Sequence, residues 1–235
     1  MIFFCIFACE KLMTTTTKNT DKAMIPEPAL RRLPWYLAYV TLLDERGIEY
    51  VSSTAISREL NVDASQIAKD LSFLNIKGKT RIGYEVKLLC HELQEFLGFK
   101  RRHNAVVLGV GSLGGSLIHD SGLAKYGLNI VAGFDIDQNI VGTSACGVPI
   151  LDISSLEATI SRLNIEVGII TLPVDHAQEG AERLIKAGIK ALWNFTPYRI
   201  RAPRGIVITN TSIYAHLAVM YNRLDAQKRL DEYPS

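Results

Sequence analysis

The sequence predicts an α/β protein made of an N-terminal winged helix, a Rossmann-type doubly wound sheet and a C-terminal helix. Three observations predict it. Residues 104–135 read strand, glycine turn, helix, strand, acid. Two short helical segments flank Asn61-Val62-Asp63 and lead into a glycine-marked, strand-prone stretch ending at Val86. Past Asp135, apolar runs of strand length alternate with helical segments.

With 235 residues, 48% hydrophobic and 21% charged, the chain has room for one large globular domain or two small ones. A net charge of +2 excludes a wholly basic coat, so any nucleic-acid affinity rests on local patches. Cys5, Cys9, Cys90 and Cys146 fall in no metal-ligand spacing. No metal is expected, and free thiols suit a reducing cytoplasm. The apolar run 1–12 is too short to span a bilayer and lacks a basic stretch before it, so no membrane association is expected. A true start at Met13 or Met24 accounts for that run, and 14–22 reads as a polar, disordered tail.

The first domain is expected over 25–99. Pro26 and Pro28 end the tail, and a helix covers 33–46, with Tyr36, Val40 and Leu43 spaced as core. Ser52 and Ser53 cap a helix over 54–60. Asp63 with Gln66 forms a capping box for a second helix over 64–74. That helix carries Ser65, Gln66, Lys69 and Ser72, side chains that bond phosphates and base edges in a major groove. Gly78 turns the chain into 81–86, giving a β-hairpin wing with Lys77, Lys79 and Arg81 at its tip. From Gln66 to Arg81 the only acid is Asp70, which leaves a compact basic surface for double-stranded DNA. Ser52, Ser53 and Tyr84 complete that candidate surface. A helix over 88–97 and a polar link over 100–103 close the domain.

The second domain is expected over 104–212. Ala105-Val106-Val107-Leu108 is a buried strand, and Gly109-Val110-Gly111-Ser112-Leu113-Gly114 opens a helix running to 126. Gly109 permits the tight turn, Gly111 lets a pyrophosphate approach the backbone, and Gly114 lets the helix pack close to the sheet. The helix start presents unpaired N–H groups to phosphates. Asp135, ending the next strand, accepts from ribose hydroxyls and repels a 2′-phosphate, so the cofactor expected is NAD(H). Strands follow at 147–150, 167–171, 191–195 and 206–208, with helices over 154–163 and 175–187. Thr171, Pro173, Asn194, Phe195 and Thr196 lie at strand ends, where they can contact the cofactor: Thr171 and Asn194 by hydrogen bonds, Phe195 by packing on the nicotinamide. A helix over 213–230 aligns Ile213, Leu217, Met220, Tyr221 and Leu224, and packs on the sheet or on a partner subunit.

No catalytic constellation emerges. His91, His103, His119, His176 and His216 sit in no acid/base or metal motif. A dinucleotide fold without a substrate domain points to sensing, not to an enzyme.

Taken in order, Leu33-Pro34-Trp35-Tyr36, Val51-Ser52-Ser53, Lys69-Asp70-Leu71-Ser72, Gly78-Lys79, Gly83-Tyr84, the Gly109–Gly114 turn, Phe134-Asp135, Gly147-Val148-Pro149 and Asn194-Phe195-Thr196-Pro197 resemble the Rex family of bacterial redox-sensing transcriptional repressors. The resemblance implies a homodimer with winged-helix DNA-binding domains, NAD(H)-binding Rossmann domains and a domain-swapped C-terminal helix. It implies that NAD+ permits binding to an inverted-repeat operator and that NADH releases it. The chain departs from the family at several positions. Ala68 replaces an arginine, Lys79-Thr80-Arg81 replaces Lys-Arg-Gly, and Ser112 and Gly115 replace an asparagine and an arginine in the glycine loop. Asp120, Leu123 and Ser212 replace a tyrosine, a phenylalanine and an aspartate that help the family tell NADH from NAD+. Two other classes stay open on the residues alone: an NAD-dependent oxidoreductase with an N-terminal oligomerisation module, and a CoA-binding Rossmann protein.

Overall fold

The computed structural model describes residues 25–232, with side chains as far as residue 229. The expected start at Met13 or Met24 and the polar tail lie outside the described residues. The chain divides into two compact units between Leu97 and Gly98.

In the first unit α1 (Glu27–Glu45) packs on α4 (Val86–Leu97). Leu33, Tyr36, Leu37, Val40 and Leu43 are buried on one side, and Val86, Leu89, Cys90 and Leu93 on the other. These are the stripes of two amphipathic helices. α1 begins six residues earlier than expected and keeps Pro34 in its interior. Proline there removes one helical hydrogen bond. Ala29 and Leu33 nevertheless extend the buried stripe backwards, and Pro28 suits the first turn.

α2 (Ser53–Leu60) is capped by Ser52, whose Oγ accepts from the Ala55 N–H at 3.0 Å. α3 (Ala64–Leu71) is capped by Asp63, which accepts from the N–H groups of Ser65 and Gln66 at 2.8 and 3.3 Å. The reciprocal half of the capping box does not form, because the Gln66 side chain turns inward to Asp70. α3 also stops at Leu71 rather than 74. The Ser72 hydroxyl donates to the Lys69 carbonyl at 2.6 Å and closes the last turn.

The expected hairpin over 75–86 takes a different form. β1 (Tyr50–Val51) pairs antiparallel with β2 (Tyr84–Glu85), and a single bridge between Lys79 and Gly83 closes a tight tip. Gly83 has φ +106°, and a Cβ there would lie 2.3 Å from the Val51 carbonyl oxygen. Only glycine lets the chain turn that close to β1.

In the second unit β3 (His103–Leu108), β4 (Leu128–Asp135), β5 (Ser144–Ala145), β6 (Val148–Asp152), β7 (Val167–Ile170), β8 (Ala191–Asn194) and β9 (Val207–Asn210) form one sheet in the order β5-β6-β4-β3-β7-β8-β9. Every pairing is parallel except β5 with β6. With β3 as first strand this is the dinucleotide-binding order, and its switch point lies between β3 and β7. α5 (Ser112–His119) covers one face, on Ala105, Val107, Ile150 and Ile169. α7 (Leu156–Leu163) and α8 (Ala177–Lys186) cover the other, on Val106, Leu108, Phe134 and Ile170. The helix expected from 112 to 126 is broken. Asp120 ends α5, and its carboxylate accepts from the Gly122 N–H at 2.6 Å to start α6 (Ser121–Lys125).

α9 (Ile213–Glu232) is capped by Ser212, whose Oγ accepts from the Ala215 N–H at 3.2 Å. Ile213, Tyr214, Val219, Met220, Tyr221 and Leu224 are each more than half exposed. No helix among the described residues is long and apolar enough to cross a membrane.

Candidate functional site

The glycine turn of β3 lies at the switch point. Gly109 takes φ +93°, and a Cβ on it would meet the Thr171 carbonyl at 3.0 Å. Gly114 is tighter still: a Cβ there would lie 2.0 Å from the Gly109 carbonyl oxygen and 2.8 Å from Thr171 Oγ1. At Gly111 a Cβ would meet nothing within 4 Å. Open space therefore lies in front of the α5 N-terminus, whose first N–H groups have no partner within the helix. Val110 and Gly114 are buried, Leu113 half-buried and Ser112 exposed.

Asp135 ties this turn to β4. Its Oδ2 accepts from the Val110 N–H at 2.6 Å, and its Oδ1 from the N–H groups of Ile136 and Asp137 at 2.7 and 3.0 Å. A carboxylate offers about four acceptor positions, so one remains for a ribose hydroxyl. Asp137 adds a second negative charge nearby, against a 2′-phosphate. The open turn, the helix start and this acid together fit an NAD-type nucleotide.

Three of the polar groups expected to meet the cofactor are already engaged inside the protein. The Thr171 hydroxyl donates to the Gly109 carbonyl at 2.6 Å and braces the turn. Asn194 is fully buried: Nδ2 donates to Tyr198 O and Asn210 Oδ1 at 2.7 and 2.9 Å, and Oδ1 accepts from the Thr196 N–H and hydroxyl at 3.0 and 2.8 Å. That satisfies the whole amide and the Thr196 hydroxyl proton. These side chains shape the loops at the strand ends instead of reaching outward, since a buried polar group must be paired. Phe195 is half-buried against Trp193, with ring centroids 4.7 Å apart, and Pro173 is exposed.

Ser65, Ala68 and Lys69 of α3, with Ser72 just past its end, form one exposed face, flanked by half-buried Gln66. Ser65 donates its hydroxyl to Asp63 at 2.5 Å, so toward a ligand it acts as an acceptor. Ser52 is occupied as a cap and Ser53 is half-buried. Lys77 and Arg81 are exposed on the wing, and Arg81 has φ +65°, a strained conformation for a side-chain-bearing residue. Lys79 is not a free tip charge. Its Nζ donates to the Tyr50 hydroxyl at 2.7 Å and lies 4.7 Å from that ring's centroid. This hydrogen bond holds its pKa above the ordinary lysine value. Tyr84 packs beneath Gly78.

The departures from the family pattern have local roles. Asp120 caps α6 and Ser212 caps α9. Leu123 borders an apolar groove of about 340 Å³ with Phe99, Tyr126, Trp193 and Val207. At Gly115 a Cβ would meet nothing within 4 Å.

The sequence reading missed the residues that hold α3. Asp70 is 1% exposed. It accepts from Arg32 Nε and Nη2 at 2.7 and 2.8 Å, from the Tyr36 hydroxyl at 2.8 Å and from Gln66 Nε2 at 2.8 Å. Arg32 and Tyr36 stand one helical turn apart on α1, a spacing that was the available signal. Burial opposes ionisation of Asp70, but the hydrogen bonds from Arg32, Tyr36 and Gln66 outweigh it and hold the pKa below its ordinary 3.8. Burial, then the bond to Asp70, pushes the Tyr36 hydroxyl up to about 12.

A depressed pKa stabilises the fold above the unfolded value and stops doing so as the pH falls through the folded one. First-unit stability, read from Trp35 fluorescence in urea, is therefore expected to fall below about pH 4, with Asp63 contributing to the same loss. Asp70→Asn is expected to flatten that fall; an equally steep one in this variant would remove Asp70 as its source.

Comparison with known proteins agrees with both units. A family profile described as "Putative DNA-binding protein N-terminus" matches residues 24–72, and one described as "CoA binding domain" matches residues 100–198. A helix-turn-helix unit joined to a dinucleotide-type sheet defines a ligand-responsive transcription regulator. The chain is 52% identical to the redox-sensing transcriptional repressor Rex of Bacteroides fragilis over 213 residues, covering 91% of this chain and 97% of that one. It is 54% identical to Rex of Bacteroides thetaiotaomicron over 208 residues, covering 88% and 94%. It belongs to the Rex family of redox-sensing transcriptional repressors, which are regulators rather than enzymes. Among solved structures it is similar to RSP, a Rex-family repressor. The complex of RSP with β-NAD+ and operator DNA superposes with TM-score 0.83 at 32% identity, covering 90% of this chain and 99% of that one. The RSP complex with β-NADH gives 0.80 at 32%, covering 89% and 98%.

Proposed function

We propose that the chain is a cytoplasmic, homodimeric repressor that holds an inverted-repeat operator when NAD+ is bound and leaves it when NADH binds. Residues 25–99 are the DNA-binding domain, 104–212 the NAD(H)-binding domain and 213–230 the dimerisation helix. The observation that carries this reading is the coexistence, in one chain, of the exposed Ser65–Lys69–Ser72 face and an open glycine turn with its acid. A solved relative holds NAD+ and operator DNA together.

The N–H groups at the turn and the α5 start bind the pyrophosphate, and Asp135 accepts from the ribose. Pro173 and Phe195 border the nicotinamide end. NAD+ and NADH differ by one charge there, which a low-dielectric pocket senses. Each form must favour a different conformation of the dimer for DNA affinity to change. Dimerisation is supported by the exposed apolar residues of α9, whose Tyr214, Met220, Tyr221 and Leu224 suit a second copy of this chain. A two-fold dimer matches an inverted repeat.

A gel-shift titration on the protein's own promoter tests the reading. With NAD+ the shifted band is expected to persist, and with NADH to disappear. Equal occupancy in both would end the sensor reading. A CoA-type ligand is the second reading, favoured by the description of the profile over residues 100–198; displacement of bound NADH by CoA at equal concentration would support it instead.

A further inference from the structure

We propose that Gln66 is a specificity-determining residue. Its amide is turned by Asp70 so that it selects a base carrying an exocyclic amino group in the major groove, adenine or cytosine, over guanine or thymine. The proposal rests on α3 being the DNA-reading helix, as proposed above, and goes beyond it by naming the base chemistry.

The orientation follows from Asp70. Its two oxygens receive four donors: Arg32 Nε, Arg32 Nη2, the Tyr36 hydroxyl and Gln66 Nε2. An ionised carboxylate only accepts, so the Gln66 group facing it has to be the amide nitrogen. Turning the amide over would set its carbonyl oxygen against a buried negative charge and remove one of the four bonds. Arg32 and Tyr36 keep Asp70 ionised and in place, so the preference is built into the free protein.

The other end of the amide is then fixed. Gln66 Oε1 accepts no hydrogen bond from the described residues. No buried side-chain oxygen among them lacks a partner, so this oxygen is open to solvent. Gln66 stands one turn before Lys69, beside the exposed face of α3. An outward carbonyl oxygen seeks a donor. In the major groove adenine N6 and cytosine N4 are donors, whereas guanine shows O6 and N7, and thymine O4 and a methyl group. Guanine and thymine would set acceptor against acceptor. The second N–H of Nε2 remains for adenine N7, so adenine is the base able to take both bonds.

The test uses the full-length protein with NAD+ and a panel of its promoter operator in which every base pair of one half-site is replaced in turn. The wild type is expected to show one position where adenine or cytosine is preferred by about tenfold, the scale of a single base contact. Gln66→Ala is expected to lose that preference and keep the others. At that position, purine in place of adenine, or pyrimidin-2-one in place of cytosine, removes only the amino group. The wild type is expected to lose the same factor on that probe while Gln66→Ala is indifferent, and whichever of the two probes acts identifies the base. Asp70→Asn, checked as folded by Trp35 fluorescence, is expected to relax the preference toward guanine because its amide no longer dictates the orientation of Gln66. A Gln66-dependent position that prefers guanine or thymine, or an unchanged panel for Gln66→Ala, overturns the proposal. Lys69→Ala separates this failure from that of the underlying reading: it is expected to weaken binding uniformly across the panel. If it too changes nothing, α3 is not the reading helix and both fall together.

Discussion

Gly114→Ala is expected to abolish NADH binding. The added methyl group would begin 2.0 Å from the Gly109 carbonyl oxygen and 2.8 Å from Thr171 Oγ1. Both are held: the Gly109 N–H donates to Phe134 O at 2.9 Å, and Thr171 hydrogen-bonds to the Gly109 carbonyl. The turn has no flexible side chain to move aside, so α5 has to shift off the sheet and carry its N–H groups away from the pyrophosphate. Overpacking of this kind costs about 1–3 kcal/mol. Its effect on affinity is expected to be about 100-fold or more, since the same atoms both clash and bind. Calorimetric titration with NADH measures it. Gly111→Ala is the contrast, because its methyl group meets no protein atom in the free chain. Its loss would come from ligand crowding alone, with the unfolding midpoint unchanged. An affinity for NADH that survives Gly114→Ala would mean that the nucleotide does not sit on this turn.

The second large effect is expected from Asp70→Ala. It leaves Arg32 without its anionic partner and the Tyr36 hydroxyl without its acceptor, both inside the first unit. Asp70 is buried but Arg32 keeps 22% of its side chain exposed, so the guanidinium regains water and the cost is that of the lost charge-assisted hydrogen bonds, about 1.5–3 kcal/mol. α3 is attached to α1 through this group, so operator binding should go with the stability. The chain's two tryptophans make the measurement clean, because Trp35 lies in the first unit and Trp193 in the second. In a Trp193→Phe background, urea unfolding followed at Trp35 should show the midpoint fall, while NADH affinity is retained. An unmoved midpoint would show that the network is peripheral to the stability of α3.

Much of this protein was legible as local pattern. The apolar run Ala105–Leu108, the glycine spacing through Gly114 and the acid at Asp135 specified a strand, a tight turn into a helix and the end of the next strand, because each depends on neighbours in sequence. The same holds for the Ser52 and Asp63 caps. Boundaries were read less well. Residues 27–32 joined α1 despite Pro34, and one helix became two at Asp120, because burial and a side-chain cap outweighed propensity.

The polar side chains at the strand ends were misread for a related reason. Thr171 and Asn194 stood at the right strand ends, but their partners Gly109, Tyr198 and Asn210 come together only once β3, β7, β8 and β9 are side by side. A sequence shows that a hydroxyl or an amide is present; which group it bonds to is set by packing, since a buried donor takes whatever acceptor the fold brings to it. Lys79 on Tyr50 and Gln66 on Asp70 follow the same rule. The sequence by itself determined the fold class, the family and the glycine turn after β3. The tertiary structure decided which charges are free, which amide end faces outward, and that Arg32, unremarkable in the chain, anchors α3 through Asp70.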